Sequence, residues 1–393
     1  MNSKHLPQKA AKYSNLTFLS SLILCSLSCI STALAAQATD SESVPVYSAS
    51  VSAGNGDKAI KSVKVSLNST HDALREAMRE CENNREAALE RVACEPVSVD
   101  GEAVLTATEL RSKASLADEP KLSLFRFNSA RGTVYLFGSV HLMKRNAFPL
   151  HKSIMAAFAG SDTLVLEVDL GAIDPTFLQE SFSRRGRYES GDDITKHLSQ
   201  ETLALADQVL AKRGSTMQSM KSLKPWLFEQ MLVTQEMQLY GFDSEAGVDS
   251  FFEQKARARN KKIEQLETFE EQLALMSGSS MAEQEVSLNY TLSTLRDGSL
   301  QHELNALVID WLEGDVDGLF STMSRPMQAF PELKSFMVKM FDERNVAMAD
   351  KIARRISAGG DYFVIVGAGH LGGPNGVVNL LHKKGFESEQ VLR

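Results

Sequence analysis

The sequence predicts an α/β protein in which two strand–Gly-x-x-His–helix–strand halves form a central sheet, with a large, mostly helical insertion between them. One unit occurs twice: Thr133-Val134-Tyr135-Leu136-Phe137-Gly138-Ser139-Val140-His141-Leu142, and Tyr362-Phe363-Val364-Ile365-Val366-Gly367-Ala368-Gly369-His370-Leu371. Each copy is an apolar, β-branched and aromatic run, the pattern of a buried strand. Each is followed by a helix-like stretch and a second β-like segment. Residues from about 172 to 350 carry helical patterning instead.

The chain opens with Lys4, Lys9 and Lys12, then an uncharged apolar and Ser-rich run from Leu16 to Leu34. Ala33-Leu34-Ala35 follows the A-x-A pattern of signal-peptidase cleavage, so residues 1–35 read as a secretory signal peptide. An uncleaved anchor is the alternative reading. No later segment reaches the roughly 20 apolar residues of a membrane span. The expected product is an exported protein, periplasmic or secreted, with no span after cleavage.

Residues 36–118 read as a linker followed by an N-terminal helical accessory segment. The first part is rich in Ser, Ala and Gly, with Gly54-Asn55-Gly56-Asp57 at its centre. Residues 68–92 are strong helix formers, and Asn68 or Ser69 suits the cap. Once the leader is removed, only Cys81 and Cys94 remain of the four cysteines. In an oxidising compartment this pair reads as a disulfide worth roughly 3 kcal/mol, with a metal pair as the alternative.

The main domain is expected over 119–393. Leu122–Phe127 alternates like a strand, Ser129-Ala130-Arg131-Gly132 turns the chain, and the first His unit follows. Phe148-Pro149-Leu150 opens a helix to about Ala159, and Thr163–Leu170 reads as a buried strand carrying two acids. Within the helical middle, Lys262–Thr268 is a strand-like break, and Glu270 and Glu271 open the next helix. A long helix over 334–358 ends at Gly359-Gly360, a natural C-cap, and leads directly into the second His unit.

The candidate chemistry follows from these positions. Gly138 and Gly367 let the backbone turn or pack closely, and the histidines stand just beyond strand ends, where open α/β sheets place their ligands. A single His there is most simply structural; the repeat argues that His141 and His370 share one site. Imidazole serves as a metal ligand or as a general base. Glu167 and Asp169 lie two apart in Leu-Val-Leu-Glu-Val-Asp-Leu, so on a strand they share a face. Buried carboxylates are costly unless paired or metal-bound, whereas on an exposed edge they are harmless. Glu267 offers a third carboxylate or caps the next helix. Arg344 holds an anionic intermediate or makes a surface ion pair.

His and carboxylate together suit a divalent ion (Zn, Mn, Fe or Co), expected on His141, His370 and Glu167. There is no H-E-x-x-H helix, no G-x-S-x-G elbow and no Gly-rich loop with phosphate-binding spacing. The net charge of −8 excludes nonspecific nucleic-acid binding as a main role.

These residues resemble the TraB/GumN family. Arg131–Leu170, with GSVHLMKRNAFPLHKSIMAAFAGSDTLVLEVDL, is similar to its opening block, and Gly241–Leu275 to its middle block. Glu343-Arg344-Asn345 with FVIVGAGHLGGPNGVVNLLHKKGF is similar to the closing block, so the likeness spans about 120–393. The family is related to the Tiki proteins, described as metal-dependent proteases. The resemblance gives His141 and His370 the histidine roles, Glu167 the first acid role and Arg344 the arginine role. It places Glu267 at the middle-block Leu-Glu-Thr, and Gly138 and Gly367 at the motif glycines. Ser139 stands where Thr is common. The implied protein is an exported metal-dependent hydrolase, a peptidase acting on peptides or proteins, with Glu167 or Glu267 as base and Arg344 at the oxyanion. The alternative is a non-catalytic binding protein of the cell envelope using the same cleft.

Overall fold

The computed structural model describes residues 46–54, 59–66, 69–88, 92–114, 121–144, 147–243 and 246–393. The leader read at 1–35 lies outside them. The stretch read as a linker carries two strands, Tyr47–Ala53 (β1) and Ile60–Ser66 (β2), paired antiparallel from Tyr47↔Ser66 to Ala53↔Ile60. Its composition hid a period of two. Ala49, Val51 and Ala53 are buried while the intervening serines are only half-buried, so small residues supply the inner face.

Glu95–Val99 (β3) and Glu102–Ala103 (β4) complete a four-stranded sheet in the order β2-β1-β3-β4. The helix Thr70–Ala87 packs on it, started by Ser69, whose side chain accepts from the Asp72 N–H. Cys81 and Cys94 form the expected disulfide, in the same buried cluster as Ala49, Val51 and Ala77.

The main sheet follows. Its members are Lys121–Ser129 (β5), Gly132–Ser139 (β6), Thr163–Leu166 (β8), Lys262–Gln265 (β10), Tyr362–Gly367 (β11) and Glu389–Leu392 (β12). Met143–Lys144 (β7) and Phe242–Asp243 (β9) pair separately. The sheet order is β10-β8-β11-β6-β5-β12. β10, β8, β11 and β6 run parallel, whereas β5 is antiparallel to both β6 and β12. The two repeat units are therefore neighbours, in register from Tyr362↔Val134 to Gly367↔Ser139.

Both faces of this sheet are covered, which is why its strands read as continuous apolar runs. Phe137, Leu164, Leu166, Phe363 and Ile365 face one core with Phe158 and Phe252. Leu136, Val165, Val364 and Val366 face the other, against Met348, Ile352 and Ile356 of the helix Arg344–Ala358.

The insertion is mostly helical as expected, but β10 returns from it to the sheet edge. Its helices Gln200–Ala211, Pro225–Leu239 and Met281–Asp297 build a further core around Leu205, Phe228, Leu232 and Leu292. The long helix expected over 334–358 is interrupted by a π-helical turn at Val338–Glu343. Such turns cluster at functional sites. Among the described residues no helix is long and apolar enough to cross a membrane.

Candidate active site

β6 and β11 end side by side, so the residues just past them meet. Gly367 is the centre of the meeting point. A methyl group built on it stands 3.4 Å from Glu167 Oε1, 3.5 Å from His370 Cδ2 and 3.6 Å from His141 Nε2. His370 Nε2 lies 3.7 Å from Glu167 Oε1. The Gly367 N–H donates to the same carboxylate oxygen at 2.6 Å. Gly138 has a packing role: a side chain there would meet Leu371 Cδ1 at 2.6 Å, and its carbonyl accepts from the Trp311 indole.

Both imidazoles are held through Nδ1. His141 Nδ1 lies 3.0 Å from Asp249 Oδ2, and Asp249 Oδ1 accepts from the Ser139 hydroxyl at 2.6 Å. His370 Nδ1 lies 2.6 Å from Asn345 Oδ1, and Asn345 donates onward to the Asn375 carbonyl. An amide oxygen only accepts, so His370 carries its proton on Nδ1 and turns a free lone pair at Nε2 toward Glu167.

Arg344 ties the acids together. Its Nη2 donates to Glu167 Oε2 at 2.8 Å and to Glu267 Oε2 at 2.7 Å, and its Nε donates to both oxygens of Glu267. Gln272 Nε2 bridges the same two carboxylates at 3.0 Å each, and Arg344 Nη1 donates to the Met340 carbonyl in the π-turn. Glu267 is thus fully engaged and does not line the cavity, whereas Glu167 and Arg344 do.

Asp169 departs from the expected geometry. β8 stops at Leu166, and the Glu167 carbonyl accepts from the Glu267 N–H, so strand alternation no longer applies past that point. Asp169 pairs instead with Arg257 and does not line the cavity. It shares no face with Glu167.

These groups open onto a cavity of about 550 Å³ between the C-terminal ends of the strands and the helical layer. Its walls are largely apolar, with Leu166, Val168, Met237, Leu307, Met340 and Phe341 among them. Size and lining suit a small organic or peptide ligand.

A family model of the TraB/PrgY/gumN family matches residues 123–390. The chain belongs to this family. It is 23% identical over 253 residues to "Uncharacterized protein YbaP" of Escherichia coli (strain K12), covering 63% of this chain and 87% of that protein. It is also 23% identical over 283 residues to an "Uncharacterized protein" of Treponema pallidum (strain Nichols), covering 69% of this chain and 83% of the other. No solved structure gives a significant match.

The TraB/PrgY/gumN match begins at residue 123, so the sheet of β1–β4 and the Cys81–Cys94 disulfide beside it lie before it. Within the matched region the charges divide cleanly. The Asp249 carboxylate raises His141, whose side chain is 57% exposed, to about 9. Burial pushes His370 down to about 4, with Glu167 opposing. Burial also resists ionisation of Glu167, but the imidazoles, the Arg344 guanidinium and the Gly367 N–H overcome it and hold the carboxyl at about 2. His370 is therefore neutral at pH 7, which leaves the Arg344 guanidinium, the protonated His141 and the Gly367 amide to support the Glu167 carboxylate.

The donors are of the right chemistry for a divalent ion: His141 Nε2, the His370 ring and Glu167 Oε1 surround Gly367, and each Nδ1 is held by a second residue, as in metal-bound histidines. Among the described residues, however, no group of three or more His, Cys, Asp or Glu side chains forms a ready metal-holding set.

A pH dependence follows. The His141 value is raised in the folded state, so its stabilising contribution is complete below its ordinary value near 6.5 and is lost as pH rises through about 9. Asp249→Asn should remove that dependence. Melting temperatures of the two proteins in EDTA should differ most near pH 6 and converge by pH 10, with the His141 ring resonances of the variant titrating at lower pH. Parallel melting curves across this range would show that Asp249 does not set the His141 charge.

Asp249, Asn345 and Gln272 were not singled out from sequence. Asp249 stands in the first turn of the helix Val248–Ala258, where an acid is expected for the helix dipole alone. Asn345 did carry a signal: a polar amide inside an amphipathic helix, on its buried face. His151, His197, His302 and His382 stay outside the cavity.

Proposed function

We propose that this protein is an exported metal-dependent hydrolase acting on peptides or proteins, with His141, His370 and Glu167 holding a divalent ion. The observation that carries this reading is the convergence of His141 Nε2, the His370 ring and the Glu167 carboxylate around Gly367. A bound ion of this kind polarises a carbonyl and lowers the pKa of its water to about 7. The chain's own groups do the rest. His370 offers a neutral lone pair fixed by Asn345, and the ionised Glu167 would offer Oε1 to the ion, its other oxygen being held by Arg344 and Gln272. The Gly367 N–H keeps Glu167 Oε1 aimed at the site. Arg344 and Glu267 act through Glu167 as positioning residues, because their polar atoms face one another. The apolar walls exclude water and receive the ligand. The Cys81–Cys94 disulfide is compatible with export.

A second reading is metal-free ligand capture in the same cavity, favoured by the lack of a ready ligand set among the described residues. Elemental analysis after reloading, together with hydrolysis of a quenched fluorescent peptide library, separates the two. The expected result is about one equivalent of metal, lost in His141→Ala and in His370→Ala, with turnover abolished by EDTA. Metal uptake should also release protons, because His141 starts protonated. Folded wild-type protein that takes up no metal would turn the assignment to capture.

A further inference from the structure

Glu229 lines the same cavity from the helical layer, on the helix Pro225–Leu239. Its Oε1 accepts hydroxyl hydrogen bonds from Ser287 and Thr291, each 2.8 Å. No cationic side chain pairs with it among the described residues. The neighbouring acids differ: Glu167 has Arg344, Glu253 has Arg257, Asp249 has His141, and Glu283 caps its own helix. Trp226, three residues before Glu229 and 4% exposed, lines the cavity too, and its indole N–H has no hydrogen-bond partner among the described residues. Met237 is on the same helix and the same cavity, eight residues on, so the space extends along this helix for about 12 Å.

We propose that the Glu229 end of the cavity binds a primary ammonium group carried on an apolar chain, with Glu229 as its counter-ion. A half-buried carboxylate with two hydroxyl donors but no cationic partner is costly to ionise, and burial accordingly pushes Glu229 up to about 7. An ammonium group supplies both the missing charge and donors for the open carboxylate oxygen, while Leu304, Leu307 and Val308 accept the chain. On the peptide-hydrolase reading, from which this substrate assignment takes its context, the ammonium is an amino terminus or a lysine side chain.

The test is calorimetric binding of octylammonium and octanol to the full protein in EDTA, with tryptophan fluorescence as a second readout because Trp226 lines the cavity. Octylammonium should bind on the order of tenfold more tightly, the scale of one added charged hydrogen bond. Glu229→Gln keeps an oxygen for Ser287 and Thr291 and should bring the ratio to about one, leaving octanol binding unchanged. Should that variant fail to melt cooperatively, the wild-type ratio alone decides. Equal binding of the two probes, or no binding of either at millimolar concentration, overturns the proposal. Tri-leucine amide with a free amino terminus and N-acetyl-Leu-Leu-Lys amide then separate the two sources of the ammonium. Binding of neither overturns the peptide form of the proposal. No turnover or metal is needed, so a failed metal site and a failed ammonium site give different results.

Discussion

Arg344→Met should lower the melting temperature by roughly 10 °C, the largest stability loss expected at any single position of the site. The guanidinium is the cation shared by Glu167 and Glu267, and all three side chains are nine-tenths or more buried. Removing it leaves two carboxylates out of water beside one another. Breaking a buried ion pair from one side costs about 3–5 kcal/mol, and the second acid adds like-charge repulsion. Gln272 still donates to both carboxylates, which limits the loss without supplying charge.

Arg344→Lys should recover only part of the stability, since an ammonium keeps the charge but not the planar fork that engages both oxygens of Glu267. Adding Glu267→Gln to Arg344→Met should restore part of it too, by removing one of the stranded charges. Thermal unfolding of the four proteins at pH 7 checks the set. A melting temperature within a degree of wild type for Arg344→Met would mean that the acids are solvated or protonated in solution, and the positioning role would fall.

Gly367→Ala should do the opposite: keep the fold and remove the function. Gly367 has φ −55° and ψ 136°, which any L-residue adopts. The added methyl would stand at ordinary contact distance, 3.4–3.6 Å, from Glu167, His370 and His141. It would therefore fit, and it would occupy the point on which the three groups converge. We expect a melting temperature close to wild type, loss of bound metal, and hydrolysis reduced by a factor on the order of 100 or more, the scale of an ångström-sized misplacement in a catalytic site. Elemental analysis and the peptide-library assay read the outcome. Undiminished metal and turnover would show that chemistry occurs elsewhere in the cavity. Gly138 offers no such clean experiment, because a side chain there runs into Leu371 and Ala368.

The parts of this site that sequence exposed are those whose local pattern is strong. The two Gly-x-x-His units stand out because strands buried on both faces need unbroken apolar runs, and a histidine at the end of such a run is conspicuous. Glu167 was visible for the same reason. Asp169 misled, because alternation holds only within a strand and β8 ends at Leu166. β1 was hidden because alanine and serine occupy most of its positions, where valine and threonine would have announced a strand, whereas Ile60, Val63 and Val65 of β2 did carry that signal. The bridging of Glu167 and Glu267 by Arg344 spans 177 and 77 residues, and no local pattern records it. The same holds for Asp249, 108 residues from the histidine it orients.

The sheet order carries a consequence for how the protein matures. β11 lies between β8 and β6, although it is the last strand but one in the chain. Until it arrives, β6 and β8 each present an open edge, and His141 and Glu167 lack His370 and the Gly367 amide. A chain emerging from synthesis therefore lacks the assembled cluster over most of its length. Closure of the sheet by its penultimate strand completes the fold and brings His370 and the Gly367 amide to His141 and Glu167 in one event. Fragments lacking that strand should be inert and, with two unpaired edges, prone to associate.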